Sequence, residues 1–187
     1  MDEEIKTALL RVIPFLIVIV VIGIRIRLKK VDPIDIGLNK PSSYPRFFAW
    51  IFGFLALVLL IEFVLFDMGI LEIRHFDHPL FSSIIRIVGA VVLAPIAEEM
   101  IFRGFILNLL RKKILNFNFA ILIQSIIFVL LHNFTYENTL SSNIGIAQSL
   151  MDGCLFGYAR YYTKSLYTPI AMHMTGNLIA TIERLIF

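Results

Sequence analysis

LFSSIIRIVGAVVLAPIAEEMIFRGFILNLL, residues 80–110, is the stretch that decides the fold. It is apolar for longer than one straight membrane crossing, which takes about 20 residues. A helix over this run must therefore tilt, kink near Pro95 or lie partly at the interface. Four ionisable side chains interrupt it: Arg86, Glu98, Glu99 and Arg103. Charged groups inside a membrane are costly, so such residues are functional candidates by default.

The rest of the chain agrees with a membrane setting. Of its 187 residues, 58% are hydrophobic and 17% charged, and the mean hydropathy is +0.84. Soluble domains run about 45–50% apolar and about 25% charged. A globule of this size cannot hide the excess, so lipid must cover much of it. Further candidate spans fall at about Thr7–Ile26, Phe47–Phe66, Ile114–His132, Ser142–Tyr162 and Leu166–Phe187. With the 80–110 run they make an all-α, polytopic bundle of about six membrane helices around a buried polar cavity. The chain reads as one membrane domain over residues 1–187, with two N-terminal helices and loops in 1–79 and a core in 80–187.

The first apolar run is followed by Arg25, Arg27, Lys29 and Lys30 and has no small-residue cleavage site, so it reads as a retained span. Eleven basic loop residues, from Arg25 to Lys164, fall on one side and four, Lys6, Arg11, Arg74 and Arg184, on the other. The positive-inside rule puts the eleven in the cytoplasm of a multi-pass protein of the cell membrane. Cys154 is the sole cysteine, which excludes an intrachain disulfide and a cysteine-based metal site. No glycine-rich phosphate loop and no nucleic-acid patch is present. The 17 phenylalanines read as lipid-facing packing.

Three polar clusters carry the chemistry. On a helix Glu99 and Arg103 are at i and i+4, within ion-pair reach, while Glu98 lies about 100° further round. That geometry holds Glu99 ionised and turns Glu98 towards a cavity, where a carboxylate suits general-base work; the bland alternative is a structural Glu–Arg bridge between helices. His132 ends an apolar run one turn after Phe128; such a histidine alone is more often interfacial than catalytic. His173 and Asn177 are at i and i+4 in the last run and project from one face. Two donors on one face are what an oxyanion hole requires, although a polar helix contact would show the same pattern.

In combination, Glu-Glu-x-x-x-Arg, Phe-x-x-x-His and His-x-x-x-Asn, in that order on three apolar helices, resemble the CPBP family. These are the CAAX proteases and bacteriocin-processing enzymes, or Abi family, which includes the type II CAAX prenyl endopeptidases. Gly157-Tyr158-Ala159-Arg160, Ser165-Leu166 and Pro169-Ile170 also look like the family, and the resemblance covers about Leu80–Phe187. It implies an intramembrane endopeptidase acting on a membrane-associated or lipidated substrate. In it Glu98 would activate water with His132 as its partner, His173 and Asn177 would stabilise the oxyanion, and Glu99 and Arg103 would support Glu98. No cofactor is expected. The competing readings are a zinc endopeptidase with Glu98, His132 and His173 as ligands, and a non-catalytic bacteriocin immunity or membrane-binding protein. His-Glu-x-x-His is missing, which counts against zinc.

Three further features lie outside these motifs. Asp152 reads as an intramembrane acid, and Gly153 and Gly157 beside it have the small-xxx-small spacing of close helix packing. His75 and His78 read as a solvated loop more readily than as a metal pair. Asn133-Phe134-Thr135 has the form of a glycosylation site but abuts His132.

Overall fold

The computed structural model describes residues 2–70, 73, 75–114, 116–132 and 139–186, the side chain of His132 excepted. Among these the chain is entirely helical, with six helices: α1 (Glu3–Arg27), α2 (Tyr44–Asp67), α3 (Leu80–Lys113), α4 (Phe117–His132), α5 (Leu140–Thr163) and α6 (Tyr167–Ile186). It is a membrane helix bundle. By length and apolarity α1, α2 and α3 each suffice to cross a bilayer. Glu98, Glu99 and Arg103 do not prevent α3 from reaching that length.

Local chemistry fixes the helix ends. Asp2 caps α1, its carboxylate accepting from Glu4 N–H at 3.2 Å; Glu3 and Glu4 occupy the first turn and Arg25 and Arg27 the last, matching the helix dipole. Ser43 caps α2 with Pro45 in its first turn, and Thr139 caps α5 by accepting from Ser142 N–H at 3.1 Å. Lys164 ends α5 in the left-handed region at φ 54°.

The long third run stays continuous through Pro95. Its 34 residues would make about 50 Å of α-helix against a hydrocarbon core of about 30 Å. It is not uniformly α-helical. Residues Gly89–Leu93 and Met100–Ile106 are π-helical and bracket the six α-helical residues Ala94–Glu99. Pro95 has no N–H for the preceding turn; the first π segment absorbs the fault just before it. Such segments insert an extra residue per turn and occur frequently at functional sites.

Two seams hold the bundle. α4 packs on α5 through Gly153 and Gly157. A Cβ on Gly153 would lie 2.9 Å from Ser125 Cβ and force a shift, and one on Gly157 would lie 3.1 Å from Ile121 Cγ2 and crowd it, so glycine at both positions allows this close approach. At one end the α1–α2 loop is laced to the α5–α6 turn: Leu166 N–H donates to Gly37 O at 2.7 Å, Ser42 N–H to Thr163 O at 2.8 Å, and Ser165 Oγ to Asn39 O at 2.6 Å. Ile22, Ile36, Met100, Leu166 and Ile170 form a buried apolar cluster below it. α1 packs on α3, and α2 on α5 and α6. Basic residues of the larger group meet at the laced end, where Arg160 fills the space beside Gly37 and Arg111 lies over Tyr161. At the other end Glu4 binds Arg86, and Arg184 lies over Phe76.

The phenylalanines divide. Phe48, Phe52, Phe63, Phe66, Phe81 and Phe119 are exposed on the outside, as expected of lipid-facing packing, but Phe54, Phe102, Phe128 and Phe156 are buried. Three of these four surround the polar site.

Candidate active site

The α-helical turn between the π segments places Glu98 and Glu99 on different faces of α3. Glu99 points inward and is wholly buried. Arg103, one turn on and equally buried, donates from Nη1 to Glu99 Oε1 at 2.7 Å. Its Nη2 donates to Gly153 O at 3.2 Å, reaching the backbone at the glycine seam. The guanidinium also lies 4.6 Å from the Phe128 ring centroid and 5.2 Å from that of Phe156. A buried arginine thus receives a carboxylate, a carbonyl and two aromatic faces, which together replace much of its lost hydration.

Glu98 instead lines a cavity of about 750 Å³. His173 spans the two glutamates: its Nδ1 lies 3.0 Å from Glu99 Oε1 and its Nε2 3.7 Å from Glu98 Oε2. As a carboxylate, Glu99 can only accept, which makes Nδ1 the donor. Nε2 then donates when the ring is imidazolium and accepts when it is neutral. The ring is set in place from its flanks as well, stacked on Phe156 at 5.2 Å and edge-on to Phe128 at 6.2 Å.

Asn177, one turn after His173, lines the same cavity. Its Nδ2 donates to Ala90 O at 2.8 Å, a carbonyl inside the first π segment. One hydrogen of the amide is thereby anchored and the same nitrogen carries a second. Glu98, Glu99, Arg103, Phe128, His173 and Asn177 are therefore brought together, from α3, α4 and α6. His132 ends α4, and its side chain lies outside the described residues.

Phe156 escaped the sequence reading although it contacts both Arg103 and His173. Its signal was available: it stands four residues after Asp152, on the same helical face. Asp152 lines the cavity with Phe156, and so does Glu62 of α2, whose Oε2 is buried without a hydrogen-bond partner among the described residues. His78 Nδ1 lies 3.2 Å from Glu4 Oε2, an ion-pairing position in the loop before α3. The tripeptide Asn133-Phe134-Thr135 lies outside the described residues. Glu98 and His173 could supply two ligands of a zinc site, the third falling to His132. No group of three or more potential ligands is assembled among the described residues.

Comparison with known proteins follows the same residues. Positions 80–179 match the family described as type II CAAX prenyl endopeptidase Rce1-like. An uncharacterized 24.3 kDa protein of Escherichia coli is 28% identical over 137 residues, covering 70% of this chain and 61% of that protein. A Bacillus subtilis (strain 168) protein named "Putative membrane peptidase YdiL" is 34% identical over 101 residues, covering 54% of this chain and 38% of that protein. The chain thus spans less than two thirds of the length of either relative. No solved structure matches.

Proposed function

Because this chain belongs to the Rce1-like type II CAAX prenyl endopeptidase family, we propose that it is an intramembrane endopeptidase that hydrolyses a peptide bond of a membrane-associated or lipidated substrate by carboxylate-activated water. The observation that carries this reading is the division between two adjacent glutamates. Glu99 is wholly buried against Arg103, whereas Glu98 lines the cavity within 3.7 Å of His173.

In this proposal Glu98 takes a proton from water as the oxygen adds to the scissile carbonyl carbon. Negative charge then develops on the carbonyl oxygen. His173, as imidazolium, and the second N–H of Asn177 donate to it. Glu98 returns the proton to the leaving amine as the C–N bond breaks. The Glu99–Arg103 pair orients His173 through Nδ1, and His132 is assigned to the water. No covalent acyl-enzyme forms, and no metal is required.

In this reading the bilayer, crossed several times, supplies the surroundings, and the laced end with its excess of basic residues is the cytoplasmic side of a cell-membrane protein. The test compares membrane peptides in cells carrying wild-type protein or Glu98→Gln, by mass spectrometry. New peptide termini present with wild type and lost in Glu98→Gln support the reading. A biological effect that survives the substitution overturns it and favours a binding protein. Activity that persists in strong chelator supports the metal-free form, whereas stoichiometric zinc lost on His173→Ala overturns it.

A further inference from the structure

Arg160 closes the run Gly157-Tyr158-Ala159-Arg160 that carries part of the family resemblance, yet the proposed chemistry does not use it. It stands in the last turn of α5, at the laced end. Its guanidinium lies against Gly37 of the α1–α2 loop, in the space a Cβ would need. The side chain is half-buried, with Nε fully enclosed and the two Nη groups open to a ligand. Among the described residues it makes no hydrogen bond, ion pair or ring contact. Arg103, by contrast, holds a carboxylate, a carbonyl and two aromatic faces. A second cation stands beside Arg160. Arg111, in the last turn of α3, lies 5.3 Å from the centroid of Tyr161, the next residue after Arg160, and is near enough for the two charges to repel. Asn108, one turn earlier in α3, donates from Nδ2 to Asp35 O and fixes that helix to the same loop. The acidic residues in the loops of this end are Asp32 and Asp35, both exposed; Asp32 accepts from Ile34 N–H at 2.8 Å. Among the described residues neither is ion-paired, and neither is any of the eleven basic residues on this side. Aromatic side chains gather at the same level: Trp50 and Tyr158 each stack on Tyr162, and Tyr161 meets it edge-on. Tryptophan and tyrosine are enriched where a bilayer has its headgroups.

We infer that Arg111 and Arg160, seated at the Gly37 loop, bind the phosphate of an anionic phospholipid headgroup. The inference stands apart from the peptidase reading. Buried and half-buried polar groups are nearly always hydrogen-bonded, so a guanidinium with no acceptor calls for one from outside the chain. The planar fork matches phosphate oxygens through paired, charge-assisted hydrogen bonds. A phosphate between the arginines also supplies the negative charge that two neighbouring cations require. Basic pockets between membrane helices bind anionic headgroups in this way, and the aromatic cluster sets this one at headgroup depth, which favours a lipid over a soluble anion. The site is tied to the helix that carries His173. Gly37 O accepts from Leu166 N–H at 2.7 Å, immediately before α6, and His173 follows about two turns later. A bound headgroup thereby stabilises the start of that helix.

The experiment uses the full chain in phosphatidylcholine vesicles that contain phosphatidylglycerol with brominated acyl chains. Binding is read by quenching of Trp50, the sole tryptophan, which stacks on Tyr162 beside the site. Wild type is expected to bind phosphatidylglycerol about thirtyfold more tightly than phosphatidylcholine, about fivefold for each arginine. Arg111→Gln and Arg160→Gln should each remove about fivefold. Arg160→Lys keeps the charge without the fork and should fall between wild type and Arg160→Gln. Arg111 is exposed, so its variant keeps the test decisive where Arg160→Gln folds poorly. The control Lys112→Gln/Lys113→Gln removes two exposed cations from the same turn and should leave the ratio within about twofold. Equal affinity of wild type for the two lipids overturns the inference. A control that loses as much as Arg111→Gln/Arg160→Gln also overturns it, since the attraction then belongs to the whole basic end and not to a site. Displacement of the lipid by millimolar inorganic phosphate shows a site for a soluble anion and overturns the lipid assignment.

Discussion

Replacing Arg103 with Met tests the inner half of the site most directly. The substitution keeps an unbranched, apolar stem and removes the charge. It leaves Glu99, which is wholly buried, with His173 as its remaining partner. Removing one partner of a buried ion pair costs about 3–5 kcal/mol, because the other charge stays desolvated. Loss of the stacking on Phe128 and Phe156 adds up to about 2 kcal/mol. Glu99→Gln should cost a similar 3–5 kcal/mol, since it strands the arginine. The double variant Glu99→Gln/Arg103→Met strands nothing, and replacing a whole buried pair is often close to neutral. A coupling of at least about 3 kcal/mol between the two positions is therefore expected. The assay is reversible unfolding in mixed micelles titrated with dodecyl sulfate. Labelling of Cys154, the sole cysteine and half-buried beside Gly153, reports the opening. Strictly additive losses in the double variant would refute the reasoning, as would an Arg103→Met protein within about 1 kcal/mol of wild type.

Gly153→Ala should destabilise more than Gly157→Ala in the same titration. The new Cβ at 153 meets Ser125 at 2.9 Å and at 157 meets Ile121 at 3.1 Å; overpacking of this kind costs about 1–3 kcal/mol. Gly37→Ala should cost about 1 kcal/mol or more, because Gly37 has φ +84° and Arg160 occupies the position of its Cβ; an unchanged midpoint would show that the laced loop is not under that constraint. Asn177→Ala should lower kcat by about 10²–10³-fold while leaving KM within a few-fold, as befits a donor used mainly in the transition state; an effect confined to KM would remove it from that role. Phe156→Leu should lower activity with a smaller stability loss than Phe156→Ala, since leucine keeps most of the volume but not the stacked face against His173.

The order of helices and the grouping of their polar residues were legible because period and charge cost act locally. The i, i+4 spacing gave the Glu99–Arg103 pair, and the 100° offset turned Glu98 to the cavity. The small-xxx-small spacing at Gly153 and Gly157 gave the α4–α5 seam. Other features were not legible in this way. The sequence left open whether α3 would kink at Pro95, tilt or lie at the interface, since π segments depend on what the neighbouring helices demand. Phe156 looked like one more lipid-facing ring among 17 phenylalanines, because its partners Arg103 and His173 lie on other helices. The seating of Arg160 against Gly37 was invisible for the same reason. Only tertiary packing brings residues so far apart in the chain to one end of the bundle.

The two π segments of α3 have a consequence for how this helix can change. Each holds one residue more than an α-helical turn does, so each takes up an extra residue while the flanking turns keep their facing. Excising a residue from Gly89–Leu93 would restore the ordinary period with little change in how Arg86 faces relative to Glu98, because the wide turn holds its extra residue within roughly one turn. Excising one from Met100–Ile106 would likewise shorten the path to the Lys113 end without re-facing it. Single-residue insertions and deletions, normally ruinous in a packed helix, become its natural steps of adjustment. Such steps change the length of the helix while its polar residues keep their bearing on the cavity.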